Sequence, residues 1–223
     1  MSADSPSLVT ATHLHVHSHF TLLGGTASVE ALAQAAAADG LSHLALTDDH
    51  ALYGAVAFRR ACQAADVQPI IGMAARVAPL DAQDLDDGGG AGLLTLLAAG
   101  PAGYRSLCRL SSLVQARPDR LEAAAAGLSW DALKEQSAGL ICLSGGRQGW
   151  VQRRLAAGDR AGALRYAGRL AGIFDERAWL ALELHRPADV PLAQELVELA
   201  GRLGLGAVAV QPVYCLTPQE RPR

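Results

Sequence analysis

THLHVHSHFTLLGGTASVEALAQAAAADGLSHLALT, residues 12–47, decides the fold. It reads as strand, helix, strand. Residues 12–17 alternate in the period-2 manner of a strand. Ser28 caps a helix over 29–38, Glu30 sits in its first turn, and Gly40 closes it. LSHLALT, 41–47, is the next strand. Such a unit joins parallel strands by a right-handed crossover. The first strand also carries four alternating histidines: His13, His15, His17 and His19. The whole chain has seven, so more than half of them sit here. Residues two apart on a strand share a face, roughly 7 Å from each other. Imidazole is the commonest metal ligand in proteins. The H-x-H spacing therefore aims two rings at one metal or a tight cluster.

The rest of the chain repeats the alternation. A helix over about 53–65 leads to a strand at 67–77. PLDAQDLDDGGGA, 79–91, carries turn and breaker residues and no apolar period, so it reads as a loop. A strand at 92–99 follows, then a helix over about 102–115 and a loop around Pro118. Ser129 caps the short helix WDALKEQ, and GLICLS, 139–144, is a buried strand. Helices over 147–157 and 159–174 precede a strand at 179–186. A helix at 190–203 and a strand at 205–211 complete the pattern. About seven strands, nearly all separated by helices, imply a parallel α/β sheet. A (β/α) barrel is the first expectation and an open doubly wound sheet the second. In barrels, chemistry sits at the carboxyl ends of the strands. Those ends hold His15–His19, Asp48–Asp49–His50, Ser144–Gly146, Glu183–His185 and Gln211–Tyr214.

With 223 residues, half of them hydrophobic and 4% aromatic, the chain makes one domain rich in Ala helices. Its net charge of −3 argues against a nucleic-acid surface driven by overall charge. Arg147, Arg153, Arg154, Arg160, Arg165 and Arg169 crowd one region and read as solvated helix faces, with a local basic patch as the alternative. Cys62, Cys108, Cys142 and Cys215 form no C-x-x-C pair, which suits reduced thiols of a cytoplasmic protein. No secretory signal or membrane-length apolar run is present. The expected division is a flexible lead at 1–11, a domain at 12–217 and a tail at 218–223.

HLHVHSHFTLLGG, ALTDDHALYGAVAF (45–58) and PIIGMAARV (69–77) together resemble the opening of a PHP (polymerase and histidinol phosphatase) domain. The likeness is strongest to the PHP domain at the N-terminus of bacterial C-family DNA polymerases, the DNA polymerase III alpha and error-prone types. It continues through LLTLLAAGPAGYRSLCRLSS (93–112), GLICLSGGRQGWV (139–151), LALELHR (180–186) and LGAVAVQPVYCLTPQERP (205–222). LYGAVAF and GYRSLCRLSS lean towards the error-prone type. The resemblance implies a distorted seven-stranded (β/α) barrel and a cluster of up to three metal ions that hydrolyses phosphoesters.

The same resemblance shows where this chain departs from the family. His15 and His17 match the first two ligands. Gly24 stands where relatives tend to have Asp, and Asp49 stands where they have His, with His50 one step later. Met73–Ala74 replace Ala-Glu, which removes the bridging carboxylate. Gly146 stands in place of Cys or His. Gln211-Pro212-Val213-Tyr214 replaces Asn-Asp-Val-His. The expected metal residues are therefore His15 and His17, with Asp48, Asp49 and His50 as secondary candidates. His13, Glu183, His185 and Arg147 are expected around the pocket. His13 and His19 also read as flanking residues of the strand. Asp48 also reads as a brace for its loop, Glu183 and His185 as hydrogen-bonding groups, and Arg147 as a helix start where an anion docks.

This ligand set implies a degenerate pocket holding at most one weakly bound zinc, manganese or magnesium ion, not an intact trinuclear cluster. The functional expectation is a scaffold domain of a C-family polymerase acting in replication or translesion repair. Its partners would be the remainder of that polymerase or replication and repair proteins, with DNA reached only through them and no membrane involved. The alternative is a free-standing metal-dependent phosphoesterase or exonuclease of the same superfamily.

Overall fold

A computed structural model describes residues 11–81, Asp84 and 90–220; the ends of the expected lead and tail, 1–10 and 221–223, lie outside the described residues. The first βα passage follows from local signals. Ser28 Oγ accepts the Ala31 N–H at 3.2 Å, which starts α1 (Val29–Ala38), and Gly40 ends it with φ +71°. β1 (His43–Leu46), α2 (Ala55–Ala64) and β2 (Gln68–Val77) come next. β1 pairs with β2 in parallel. Along β1 the side chains alternate: Leu44 and Leu46 pack under α1 and α2 with Val29, Leu32, Phe58 and Cys62, while Ala45 points to the other face.

β3 (Gly92–Ala98) and β4 (Leu140–Leu143) overturn the all-parallel expectation, since β3 runs antiparallel to both β2 and β4. Gly92 lies opposite Val77, so the connection leaves and re-enters the sheet at one end. Parallel pairing would need a crossover, usually helical, and the breaker-rich 79–91 stretch has no helical period. Between β3 and β4 run α3 (Pro101–Gln115), α4 (Arg120–Ala126) and α5 (Trp130–Glu135), which return the chain to the end it left. The return is tight: a Cβ at Gly103 would sit 2.1 Å from the Gly139 carbonyl oxygen. α4 falls where the sequence reads as a loop. It buries no side chain and has no apolar stripe to announce it.

After a short 3-10 turn at Gly146–Gln148 come α6 (Trp150–Ala156), α7 (Arg160–Phe174), β5 (Ala178–Leu182), α8 (Val190–Arg202) and β6 (Gly206–Ala209). β4, β5 and β6 are parallel. The sheet order is β1-β2-β3-β4-β5-β6. One apolar cluster takes Ala45, Leu97, Leu143, Ala181 and Val210, with Ile70 against it. Residues from every part of the sheet meet there, which marks the inside of a curled sheet. The larger core lies outside the curl, where β2–β5 meet α3 and α5–α8. Trp150 stacks on Tyr166 there at 5.0 Å and donates to the Val77 carbonyl at 3.0 Å.

The expected seventh strand is not a regular strand among the described residues, so the count is six, not seven. Residues 13–17 make isolated bridges instead, His13 with Leu44 and Val16 with Val213. The chain bends at His15, and a bent segment cannot keep a ladder. It still bonds both edges of the sheet. Ala45 donates to His13 O and Thr47 to Val16 O; His17 donates to Val213 O and Val213 to His15 O.

The arginine-rich helices are held by ion pairs. Arg154 and Arg165 reach Asp84, Arg160 reaches Glu195, and Arg169 reaches Asp131. The four cysteines are free thiols, with Cys62 and Cys142 buried.

Candidate functional site

The carboxyl ends of β1 and β5, the turn after β4 and the chain beyond β6 converge on the bent histidine segment. His15 and His17 are both buried, and their Nε2 atoms lie 2.9 Å apart. The bend has brought together rings that a flat strand would hold much farther apart. Their protonation follows from their neighbours. Thr21 Oγ1 donates its one proton to Asp48 Oδ1 at 2.8 Å, so it accepts from His17 Nδ1 at 3.1 Å. His17 then carries its proton on Nδ1, and His15 Nε2 donates to His17 Nε2. The donors run His15, His17, Thr21, and Asp48 accepts at the end.

Asp48 is the terminus and is itself fully engaged. It is buried and accepts from Ser18 N (2.7 Å), Ser18 Oγ (2.8 Å) and Thr21 Oγ1. Thr47, its neighbour, accepts the Val16 N–H and donates back to the Val16 carbonyl. These two residues at the end of β1 fix the whole 16–21 segment. Asp49 lies at the surface side of the pocket, 3.6 Å from His17 Nδ1. Burial raises its pKa most, Arg76 pulls it down, and Asp48 adds to the rise.

His50 is buried in a left-handed conformation, φ +51°. Its Nε2 accepts the Arg76 N–H at 3.2 Å, and its carbonyl accepts from Ser111 and Gln115. Those bonds aim its ring at β2 and tie its backbone to α3. His13 lines a cleft under α1 with Val16, Leu32 and Leu44, and His19 is exposed beside Phe20. The pocket proper therefore takes two of the four alternating histidines. Burial holds all three inner histidines neutral, with pKa values of about 4 for His15, about 3 for His17 and about 4 for His50.

On the opposite wall, Glu183 accepts from Arg147 N at 2.9 Å and pairs with His185 Nε2 at 2.7 Å. The Arg147 guanidinium pairs with Asp189. Both groups with which Arg147 would hold an anion are thus engaged. Glu183 also fills the space beside Gly146, where a Cβ would sit 2.3 Å from Oε2, and Gly146 has φ +56°. Gly146→Ala should therefore strain the backbone and push the carboxylate off its two partners. The expected loss is about 2–3 kcal/mol in a urea melt; an unchanged midpoint and slope would contradict this placement.

Tyr214 was legible in the sequence only as a lost ligand, and it is the main occupant of the pocket. Its ring lies flat on His17, centroids 4.6 Å apart and planes at 9°, and meets His15 edge-on with centroids 6.3 Å apart. Burial, with Asp49 and Glu183 nearby, raises its pKa.

The metal cluster that the family resemblance implies does not fit these residues. Among the described residues, no three His, Cys, Asp or Glu converge as a metal group. The two histidines bond each other, Asp48 and Glu183 spend their oxygens on protein donors, and a tyrosine ring covers His17.

Comparison with known proteins agrees with the fold and specifies the family. The PHP domain model matches residues 13–187. DNA polymerase III subunit alpha of Bacillus subtilis is 31% identical over 209 residues, 94% of this chain and 18% of that protein. The error-prone DNA polymerase of Symbiobacterium thermophilum is 36% identical over 222 residues, 93% of this chain and 19% of that protein. The chain thus spans about a fifth of the length of these curated relatives. Among solved structures, an amidohydrolase from Chromobacterium violaceum with bound sulfate and no metal matches with a TM-score of 0.58 at 14% identity. That match covers 95% of this chain and 90% of the other. A protein named as a metal-dependent phosphoesterase from Bifidobacterium adolescentis matches at 0.59 and 12% identity, covering 92% and 88%. At such identities the likeness is one of fold. The family-model match, spanning most of the curled sheet and its histidine pocket, places this chain in the PHP domain family.

Proposed function

We propose that this chain is the PHP domain of a bacterial C-family DNA polymerase, serving as a scaffold and carrying no working hydrolytic cluster. The polymerase relatives, matched along nearly the whole chain, support the first part. The observation that carries the second is the closed pocket: two neutral imidazoles bonded to each other under the Tyr214 ring. No polymerase active site belongs to this domain. Its partners are the remainder of such a polymerase or replication and repair proteins, and DNA is reached through them. No helix among the described residues is long and apolar enough to cross a membrane, and we assign the domain to the cytoplasm with its polymerase.

One observation favours a second reading. The His15 and His17 Nε2 atoms are close enough to share one ion, since two nitrogens on a tetrahedral zinc lie roughly 3.3 Å apart. Two protein ligands make a weak site, so this reading is of a single loosely held zinc, manganese or magnesium ion and not of a phosphoesterase. Metal content of the purified protein, measured beside a His15→Ala/His17→Ala double variant, tests both readings. The expected result is far less than about one equivalent in either protein, and no hydrolysis of bis-(4-nitrophenyl) phosphate with any of the three ions. About one equivalent of metal in the parent without hydrolysis, lost in the double variant, would establish the single-ion reading; stoichiometric metal with hydrolysis, both lost in the double variant, would make the metal-dependent phosphoesterase the correct reading.

A further inference from the structure

The chain beyond β6 is tied to the histidine segment in three ways. Val213 exchanges two backbone hydrogen bonds with it, His17 N–H to Val213 O and Val213 N–H to His15 O, both 2.9 Å. The Tyr214 carbonyl accepts the Thr26 N–H at 3.1 Å and the Thr26 hydroxyl at 3.4 Å. The Tyr214 ring then stacks on His17. Its hydroxyl accepts only a long bond, 3.4 Å, from Gln148. The ring face therefore makes the close contact with the pocket, and the hydroxyl is peripheral.

A metal ion in a pocket like this would join side chains from segments far apart in sequence. Here an aromatic ring joins them. Stacked aromatic pairs stabilise beyond the area they bury, and a neutral imidazole is a good partner for a phenol ring. We propose that Tyr214 is an internal ligand of the histidine pocket: its ring packs on the face of His17 and clasps the segment after β6 to residues 13–26. This rests on the reading of the pocket as one without a working cluster.

Amide hydrogen exchange on the 223-residue protein tests the clasp. In Tyr214→Ala the His17, Thr26 and Val213 amides should exchange about tenfold faster or more, while β3 and β4 amides keep the parent rates, as local opening requires. Tyr214→Phe keeps the ring and should stay within about twofold of the parent at the same amides. Millimolar phenol, the part of the side chain that alanine lacks, should slow those amides again in Tyr214→Ala and do nothing to the parent. If Tyr214→Ala does not fold, Tyr214→Leu carries the same comparison. Parent-like rates at His17 and Thr26, or an equal rise across the whole sheet, would overturn the clasp. Failure of the underlying reading looks different, because it appears as stoichiometric metal in the unmutated protein.

Discussion

Acidification from pH 7 to pH 5 should remove about 6 kcal/mol of stability, long before most carboxylates titrate. The source is the three inner histidines. In the unfolded chain each takes up a proton near the ordinary value of 6.5; in the folded chain His15, His17 and His50 resist until about 4, 3 and 4. The first cause in each case is burial, which penalises the charged ring; Arg76 adds to it at His50, and the two pocket rings oppose each other's charge at His17. Between those values the unfolded state binds more protons than the folded state. Stability is therefore full above pH 6.5 and falls as the pH drops towards 4. Each ring loses about 2 kcal/mol at pH 5.

A domain of this kind has roughly 5–15 kcal/mol in total, so the loss is a large part of it. Thermal melts followed by circular dichroism should show the midpoint falling by on the order of 15 °C between pH 7 and pH 5. A His15→Asn/His17→Asn variant, whose amides do not titrate, should show a much flatter curve whatever its starting stability. A midpoint that holds steady down to pH 5 in the parent would show that the pocket histidines already sit in contact with water or charge.

Local signals in the sequence carried much of the fold. The helix caps at Ser28 and Ser129 both accept the backbone N–H three residues on. All six observed strands fall on apolar runs that the sequence reading placed, most of them between amphipathic helices and β2 and β3 on either side of a breaker-rich loop. The direction of β3 against β2 has a signal in the helix-free 79–91 connection, which the all-parallel expectation overlooks. The direction of β4 against β3 was not legible, because it depends on which end of the sheet α3–α5 return to, and a run of helices does not encode that. The bend at His15 was hidden for a related reason. It comes from bonds to Thr47 and Val213, partners far away in sequence, while alternation alone reports an ideal strand. The histidine motif pointed to the correct pocket, but not to what fills it. Thr21 and Ser18 carry no motif of their own, and Tyr214 looks like a missing ligand until its ring is seen against His17.

Asp48→Ala should be the most damaging single substitution in the pocket, at roughly 3–5 kcal/mol. The carboxylate is buried and takes three donors, Ser18 N, Ser18 Oγ and Thr21 Oγ1. Alanine leaves all three without an acceptor in a place water does not reach. Thr21 would then lose the partner that orients its hydroxyl towards His17, so the histidine pair would lose its fixed tautomers as well. Asp48→Asn separates charge from geometry. Its amide oxygen can still accept from Ser18 N and Thr21 Oγ1, but its NH2 faces the Ser18 hydroxyl, which must turn to accept. The cost should be smaller, about 1–2 kcal/mol. A metal-ligand role for Asp48 predicts a different pattern: little change in the stability of metal-free protein for either variant, and a loss only in metal affinity. Urea melts of the three proteins in the presence of a chelator separate the two cases. A parent-like midpoint for Asp48→Ala would mean that the carboxylate is held for an ion and not for the loop.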